Sequence, residues 1–342
     1  MPKIGNINIA VVGATGAVGR VFLDIIQERG LPFFSLKLLA TERSAGTSLI
    51  VNGETLVVEE TSPQSFDGMD IVFISASGDA SRQWTHIAVD AGAVVVDDSS
   101  AFRMDPDVPL VIPEVNGKDV EWNKGIISIP NCSTTQMVMV LDPLHRVNRI
   151  RRVLVDTYQS VSGAGRAAMD DLTAQVGDVL NGTKPDSGEF PHQIAFNLIP
   201  AIEEFLPNGY TKEEQKMRDE TRKILHDQTI AISASCVRVP VSVSHSEAMH
   251  VEFTEPISSE DATGILSNCP GIKVMDDPVN DIYPMPLYAE GKDDVFVGRI
   301  RQDVSVECGL VMYVVSDNLR KGAALNAVQI IEEILRRDCL HG

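Results

Sequence analysis

Two textures of apolar and polar positions follow one another along the chain. In residues 6–12 a short apolar run (Ile7, Ile9, Ala10, Val11, Val12) predicts a buried strand. After a glycine-rich break, Val18, Val21, Phe22, Ile25 and Ile26 recur at helical spacing until Gly30 stops them. The pattern then repeats, with strands predicted at 36–40, 71–75 and 93–96, a helix at 80–91 and a hairpin insertion at 51–59 around Asn52-Gly53. Residues 111–115 and 125–129 lead into Cys132. Beyond the charged break Arg149-Ile150-Arg151-Arg152 the runs lengthen, and strands are predicted at 153–160, 233–244, 250–255, 295–302 and 310–315. Helices are predicted at 211–226 and 322–337, the latter with Ala324, Val328, Ile331 and Leu335 on one face. The proline-rich stretches 185–191 and 278–286 have no periodicity and read as loops or subunit contacts.

A strand, a glycine turn and a helix in succession make the first unit of a Rossmann-type dinucleotide-binding domain, of α/β class. The later texture suits an α+β domain on an open, largely antiparallel sheet. Two domains also fit a length of 342 residues. The boundaries drawn are 1–131, completed by a C-terminal helix at 320–342, and 132–319.

Candidate chemistry gathers at the ends of the predicted strands. The turn is G-x-x-G-x-x-G, in which Gly13, Thr15, Gly16, Ala17 and Val18 are the expected contacts for a pyrophosphate at a helix N-terminus. After the second strand, Thr41-Glu42-Arg43-Ser44 offers both an acid for a ribose diol and an arginine with hydroxyl neighbours for a 2'-phosphate. Thr41, Arg43 and Ser44 favour NADP. Ser75 ends the next strand, in a segment small enough to pass close to a cofactor. In Asp97-Asp98-Ser99-Ser100 the paired carboxylates read as turn formers, since no further ligand stands at metal spacing, while Arg103 is a candidate anion contact. Cys132 stands between Pro130-Asn131 and the helix-starting Ser133-Thr134-Thr135, at the head of an apolar helical segment. There the helix dipole and open N–H groups lower a thiol's pKa and can hold an oxyanion, so Cys132 reads as a nucleophile although most cysteines are simply buried.

Composition narrows the field. With 44% hydrophobic residues the chain can bury two cores, and its one N-terminal apolar run is too short for a signal core or a membrane span, which predicts a cytoplasmic protein. Its five cysteines (Cys132, Cys236, Cys269, Cys308, Cys339) are odd in number, widely spaced and without C-x-x-C, so they should carry thiols rather than disulfides or zinc. A net charge of -19 opposes nucleic-acid binding, and an anionic substrate would depend on the site's own arginines and lysines.

Cys132 in Asn131-Cys132-Ser133-Thr134-Thr135-Gln136, the N-terminal G-A-T-G-A-V-G, Tyr158-Gln159-Ser160-Val161-Ser162-Gly163-Ala164-Gly165, Arg238-Val239-Pro240-Val241 followed by Ser244-His245, and the closing Asn318-Leu319-Arg320-Lys321-Gly322 together resemble the aspartate-β-semialdehyde dehydrogenases. The resemblance spans essentially the whole chain. It implies a glyceraldehyde-phosphate-dehydrogenase-like architecture, with 132–319 as catalytic and dimerisation domain. It also implies NADP-dependent reductive dephosphorylation of aspartyl phosphate through a cysteine thioester, on the route to lysine, methionine and threonine. By resemblance Cys132 is the nucleophile, His245 the acid/base and Gln159 the group that positions the reacting carbonyl. Arg103 and Lys216 hold phosphate, Arg238 the substrate carboxylate and Glu213 its amine, with Asn131 beside them. Ser162, Gly163 and Asn318 add to the cofactor site. On the residues alone, His250 competes almost evenly with His245, and Glu213 and Lys216, three apart on one helix face, would pass for a surface ion pair. A reductase of another acyl phosphate or of an acyl-CoA, and a non-catalytic NADP-binding sensor, are the alternatives. Val237, Val239, Val241, Val251 and Phe253 are more apolar residues than one layer of helices obviously hides. Together with the resemblance, they predict a homodimer through the second domain.

Overall fold

A computed structural model describes residues 7–186 and 188–340. The chain forms two compact units, Met1–Asn131 with Ala323–Gly342, and Cys132–Gly322. In the first, β1 (Asn8–Val12) runs into α1 (Ala17–Glu28), followed by β2 (Ser35–Ala40), the hairpin β3 (Ser48–Val51) and β4 (Glu54–Val57), and the short β5 (Glu59–Glu60). Next come β6 (Ile71–Ile74), α2 (Gly78–Asp90), β7 (Val94–Asp97), the single turn α3 (Pro113–Asn116) and β8 (Ile126–Ser128). The main sheet has the order β5-β2-β1-β6-β7-β8, with every pair parallel. Strand order reverses direction at β1, and that is where ligands bind in such sheets.

The apolar pattern explains this arrangement. Ile9 and Val11 of β1 point to one face, where they join Phe22, Ile25 and Ile26 of α1 and Phe73 of β6, while Ala10 and Val12 point to the other, with Val72, Ile74, Val95 and Ala88. A strand buried on both faces must read as a continuous apolar run, as β1 does. Asn52 and Gly53, both with positive φ (51° and 80°), make the two-residue turn of the hairpin.

The second unit begins with α4 (Cys132–Val147) and β9 (Ile150–Gln159), continues through α5 (Arg166–Leu180), α6 (Lys212–Ile224), β10 (Ala231–Arg238), β11 (His245–Phe253), α7 (Ser259–Ser267), β12 (Ile272–Val274) and α8 (Pro286–Ala289), and closes with β13 (Val295–Gln302) and β14 (Gly309–Ser316). The sheet order is β10-β9-β11-β14-β13-β12, antiparallel in the middle and parallel at its two edges. After a π-helical turn at Arg320–Ala324, α9 (Leu325–Arg337) supplies Val328, Ile331 and Ile334 to the first unit's core.

Three expectations change. The strand predicted over 233–244 ends at Arg238, because Pro240 has no N–H to give a neighbouring strand. The strand predicted from 250 begins at His245; Ser246 and Glu247 disguised it, being polar yet buried. The five apolar residues offered as an exposed sheet face do not form one: Val251 and Phe253 are buried, and Val239 and Val241 lie beyond β10. Only Val237 pairs with Tyr158 on the half-open face, where Tyr158 and Tyr313 rings lie 6.4 Å apart.

Candidate active site

The first unit offers a dinucleotide site. Gly13 has φ of 85°, and a Cβ there would lie 2.0 Å from the carbonyl oxygen of Ser75, so only glycine lets the turn cross the end of β6. A Cβ at Gly19 would lie 2.2 Å from the Gly13 carbonyl oxygen, which presses α1 against its own turn. Gly16 is the exposed N-cap of α1, with no side-chain cap and no acidic residue in the first turn. The N–H groups following it, at Ala17 and Val18, therefore face no negative charge of the helix's own, and Thr15 stands just ahead of them. These residues fit a pyrophosphate. Thr41, Glu42 and Arg43 are all exposed, on a 3₁₀ turn after β2 closed by Ser44 N–H donating to the Thr41 carbonyl at 2.9 Å.

At the end of β7, Asp97 accepts from the N–H of Ser99 at 2.6 Å and from the Ser81 hydroxyl, as a turn former should. Asp98 accepts from the Ser75 hydroxyl at 3.2 Å, and Arg103, buried, donates to the Asp98 carbonyl oxygen at 2.8 Å. Burial pushes the Asp98 carboxyl up to about 7, opposed by Arg103 and Ser75 and reinforced by Asp97. Asn131, also buried, ends the first of this unit's two chain segments.

The second unit gathers the remaining candidates. Cys132 is the first residue of α4. At the end of β9 the Thr157 hydroxyl donates to Gln159 Oε1 at 3.0 Å, which fixes the amide so that Nε2 donates to Glu213 Oε1, also at 3.0 Å. Glu213 stands in the first turn of α6, which Thr211 and Glu214 cap reciprocally. Lys216, one turn on, donates to Glu213 Oε2 at 3.2 Å and to Glu203 Oε1 at 2.5 Å. The pair is no surface ion pair, since Glu213 is 3% exposed.

Arg238 ends β10, its guanidinium 5.7 Å from the Phe190 ring centroid and Nη1 donating to the Ser160 carbonyl at 2.7 Å. Burial lowers its pKa, while Glu213 and then Cys132 favour its cation. His245 opens β11, fully buried, its Nδ1 3.0 Å from both the N–H and the hydroxyl of Ser160. Asn318 Oδ1 accepts from the Ser160 hydroxyl at 3.1 Å, the Ser162 hydroxyl at 3.0 Å and the Ser244 N–H at 2.9 Å. Ser244 has φ of 77°, a strained conformation for a non-glycine residue immediately before His245. A Cβ at Gly163 would lie 3.0 Å from Arg238 Nη1 and 3.2 Å from His245 Nε2, so that glycine keeps clear the space both side chains face. His250, the rival histidine, pairs instead with Asp303 at 2.8 Å, half exposed and outside this cluster.

Ser160 and Glu203 were not singled out in the sequence as site residues. Ser160 follows Gln159 at a strand end, and the inward alternation of β9 (Val153, Val155, Thr157, Gln159) passes over it. Glu203, in a loop with φ of 64°, has no such local signal.

Comparisons with known proteins identify the family. The family model "Semialdehyde dehydrogenase, NAD binding domain" matches residues 8–122 and "Semialdehyde dehydrogenase, dimerisation domain" matches 141–321. The aspartate-semialdehyde dehydrogenase of Aquifex aeolicus is 52% identical over 332 residues, covering 96% of this chain and 98% of its own, and that of Bacillus subtilis 46% over 337 residues, covering 96% and 97%. The crystal structure of aspartate semialdehyde dehydrogenase II of Vibrio cholerae complexed with ASA superposes with a TM-score of 0.94 at 46% identity, over 97% of this chain and 98% of that one. A Candida albicans aspartate semialdehyde dehydrogenase with NADP gives 0.78 at 28%, over 98% and 100%. The chain belongs to the aspartate-semialdehyde dehydrogenase family.

Proposed function

We propose that this protein reduces L-aspartyl-4-phosphate to L-aspartate 4-semialdehyde, with NADP as its cofactor, on the way to lysine, methionine and threonine. The observation that carries the reading is the convergence of a helix-starting cysteine, an amide, a guanidinium, an imidazole and a carboxylate–ammonium pair within one unit. Its full-length relatives of the same name support it.

Cys132, as thiolate, attacks the acyl carbon, expelling phosphate and forming a thioester. The reduced nicotinamide, when bound, supplies hydride equivalents to that thioester. Gly13, Thr15, Gly16, Ala17 and Val18 hold its pyrophosphate, and Ser75, Ser162, Gly163 and Asn318 are assigned as further cofactor contacts. Arg43, with Thr41 and Ser44, meets a 2'-phosphate. Gln159 positions the reacting carbonyl, held for that task by Thr157 and Glu213. Arg238 grips the substrate carboxylate by the edge of its guanidinium not committed to Ser160, and Glu213 meets the amine. Arg103, Lys216 and Asn131 are the residues assigned to the phosphate. A homodimer through the second domain covers the face bearing Tyr158 and Tyr313, consistent with the name of the matching family model. The protein works in the cytoplasm.

Phosphate-dependent NADPH formation from aspartate semialdehyde tests the reaction. It should be present in the native enzyme and absent from Cys132→Ala, which should still bind NADP. Substantial turnover by the alanine variant would overturn covalent catalysis.

A further inference from the structure

We propose that Glu203 is an exchangeable counter-anion of the phosphate subsite: its carboxylate and inorganic phosphate alternate on the Lys216 ammonium, so that Glu203 sets how tightly phosphate is held. The inference rests on the reading above that Lys216 meets phosphate, and adds to it a residue that the resemblance does not name.

The loop that carries Glu203 is tied at both ends to the elements that carry these cations. Ile199 exchanges two backbone hydrogen bonds with Arg238 at the end of β10, at 3.0 and 2.9 Å. The Glu204 carbonyl accepts from the N–H of Lys212, the first residue of α6, at 2.9 Å, and Phe205 pairs with Thr211, its N-cap. Between these ties Ile202 is buried and Glu203 has φ of 64°, a left-handed conformation uncommon for a residue with a side chain. The two neighbouring acids are thereby sent to different partners. Glu204 pairs with the exposed Lys212, whereas Glu203 reaches Lys216 one turn further along α6, with Oε1 2.5 Å from Nζ.

Two carboxylates thus share one ammonium, and they differ in freedom. Glu213 is buried, and its other oxygen accepts from Gln159 Nε2 at 3.0 Å. The Glu203 side chain is 38% exposed, and its carboxylate makes no other hydrogen bond among the described residues. An ammonium has three N–H donors, of which two are spent here, and two carboxylates against one cation leave the position negative. Phosphate brings further negative charge to a side chain that is itself mostly shielded from water, so one carboxylate has to give way. Freeing Glu213 would break its bond to Gln159 and strand a buried charge. Freeing Glu203 returns a part-exposed carboxylate to water, at little cost because exposed ion pairs are weak.

Glu203 therefore keeps Lys216 aimed before phosphate arrives and competes for the same ammonium when phosphate leaves. Its influence on the other cation is smaller. Burial lowers the Arg238 pKa, and of the groups that favour its cation Glu203 ranks behind Glu213, Cys132 and Cys236. Loss of the Glu203 charge should be felt at the phosphate much more than at the substrate carboxylate.

Calorimetric titration of the full-length enzyme with inorganic phosphate, at constant ionic strength and pH 8 and without aspartate semialdehyde, tests this. Glu203→Gln and Glu203→Ala should each tighten the phosphate Kd about tenfold. In a Lys216→Met background, Glu203→Gln should leave phosphate binding where it was. During turnover of aspartate semialdehyde, Glu203→Gln should lower the phosphate KM about tenfold and shift the semialdehyde KM by less than about twofold, a split that general damage to the site would not produce. A phosphate Kd that stays put in both Glu203 variants would show the contact to be idle, and a weaker one would show that Glu203 holds Lys216 for phosphate; either sinks the exchange, as does binding by neither native nor variant enzyme. Phosphate held equally well by Lys216→Met would refute the assignment of Lys216 and the proposal with it. The titrations use no substrate, so failure of aspartate semialdehyde to react would count against the proposed reaction alone.

Discussion

A methyl group on Gly322 would stand 2.8 Å from Cβ of Cys132 and 3.3 Å from its Cα. Gly322 lies in the π-helical turn before α9, its N–H donating to the Asp317 carbonyl at 3.2 Å, so the obstruction would come from backbone with little freedom to retreat. Such turns recur at functional sites, and here the turn allows one segment to pass directly over Cys132. Gly322→Ala should displace Cys132 by a few tenths of an ångström to one ångström and lower kcat/KM by about ten- to a hundredfold. The rate of Cys132 alkylation, measured beside turnover, checks it; unchanged values for both would show that the contact is slack.

Arg238 combines two duties in one guanidinium. Nη1 supports the Ser160 carbonyl, and in the proposed reaction the opposite edge takes the substrate carboxylate. Lysine keeps the charge but can match neither the fork nor the stacking over Phe190. Arg238→Lys should lower kcat/KM by about a hundredfold, corresponding to about 3 kcal/mol of transition-state binding, with NADP binding unchanged. Steady-state kinetics on aspartate semialdehyde together with NADP titration separate this outcome from general unfolding.

For the cofactor, Arg43 is exposed on the turn that follows β2, next to the strand whose Leu39 carbonyl accepts the Gly13 N–H. Arg43→Ala should weaken NADP binding by about tenfold and leave NAD nearly unaffected. Parallel losses for both cofactors would mean that Arg43 does not read the 2'-phosphate.

Asp98 makes stability depend on pH in a defined direction. An unfolded aspartate ionises near 3.8, whereas burial holds Asp98 near 7, so between these values the unfolded chain has given up a proton that the folded one keeps. Its contribution to stability falls as pH rises from about 4 to about 7 and is flat above. Asp98→Asn keeps an acceptor for the Ser75 hydroxyl and removes the charge. Urea midpoints should therefore rise relative to native at pH 8 and match native near pH 4.

The nucleotide-binding half was the more legible part of the sequence, for a physical reason. Its strands are buried on both faces and its glycines are forced by contacts as close as Gly13 against Ser75, so apolar runs and punctuation carry the information. The second unit hides its pattern where it builds its site. His245, Ser246 and Glu247 are polar residues inside a buried strand, and no periodicity rule finds them. The order Gln159, Ser160 placed the carboxamide, yet the backbone N–H that fixes the imidazole belongs to a residue whose side chain gives no hint of that role. The sheet register tells the two histidines apart, setting His245 beside Ser316 and His250 out on the half-open face with Asp303.

The return of the chain at α9 has a consequence for synthesis. Ile9, Val11, Phe22 and Phe73 share one apolar cluster with Val328, Ile331 and Ile334, which are made only after the whole of the second unit. The second unit is one uninterrupted segment, with its ends, Cys132 and Gly322, already touching. During translation that segment can therefore close on itself first, while the earlier-made parallel sheet waits with an apolar flank uncovered until α9 emerges.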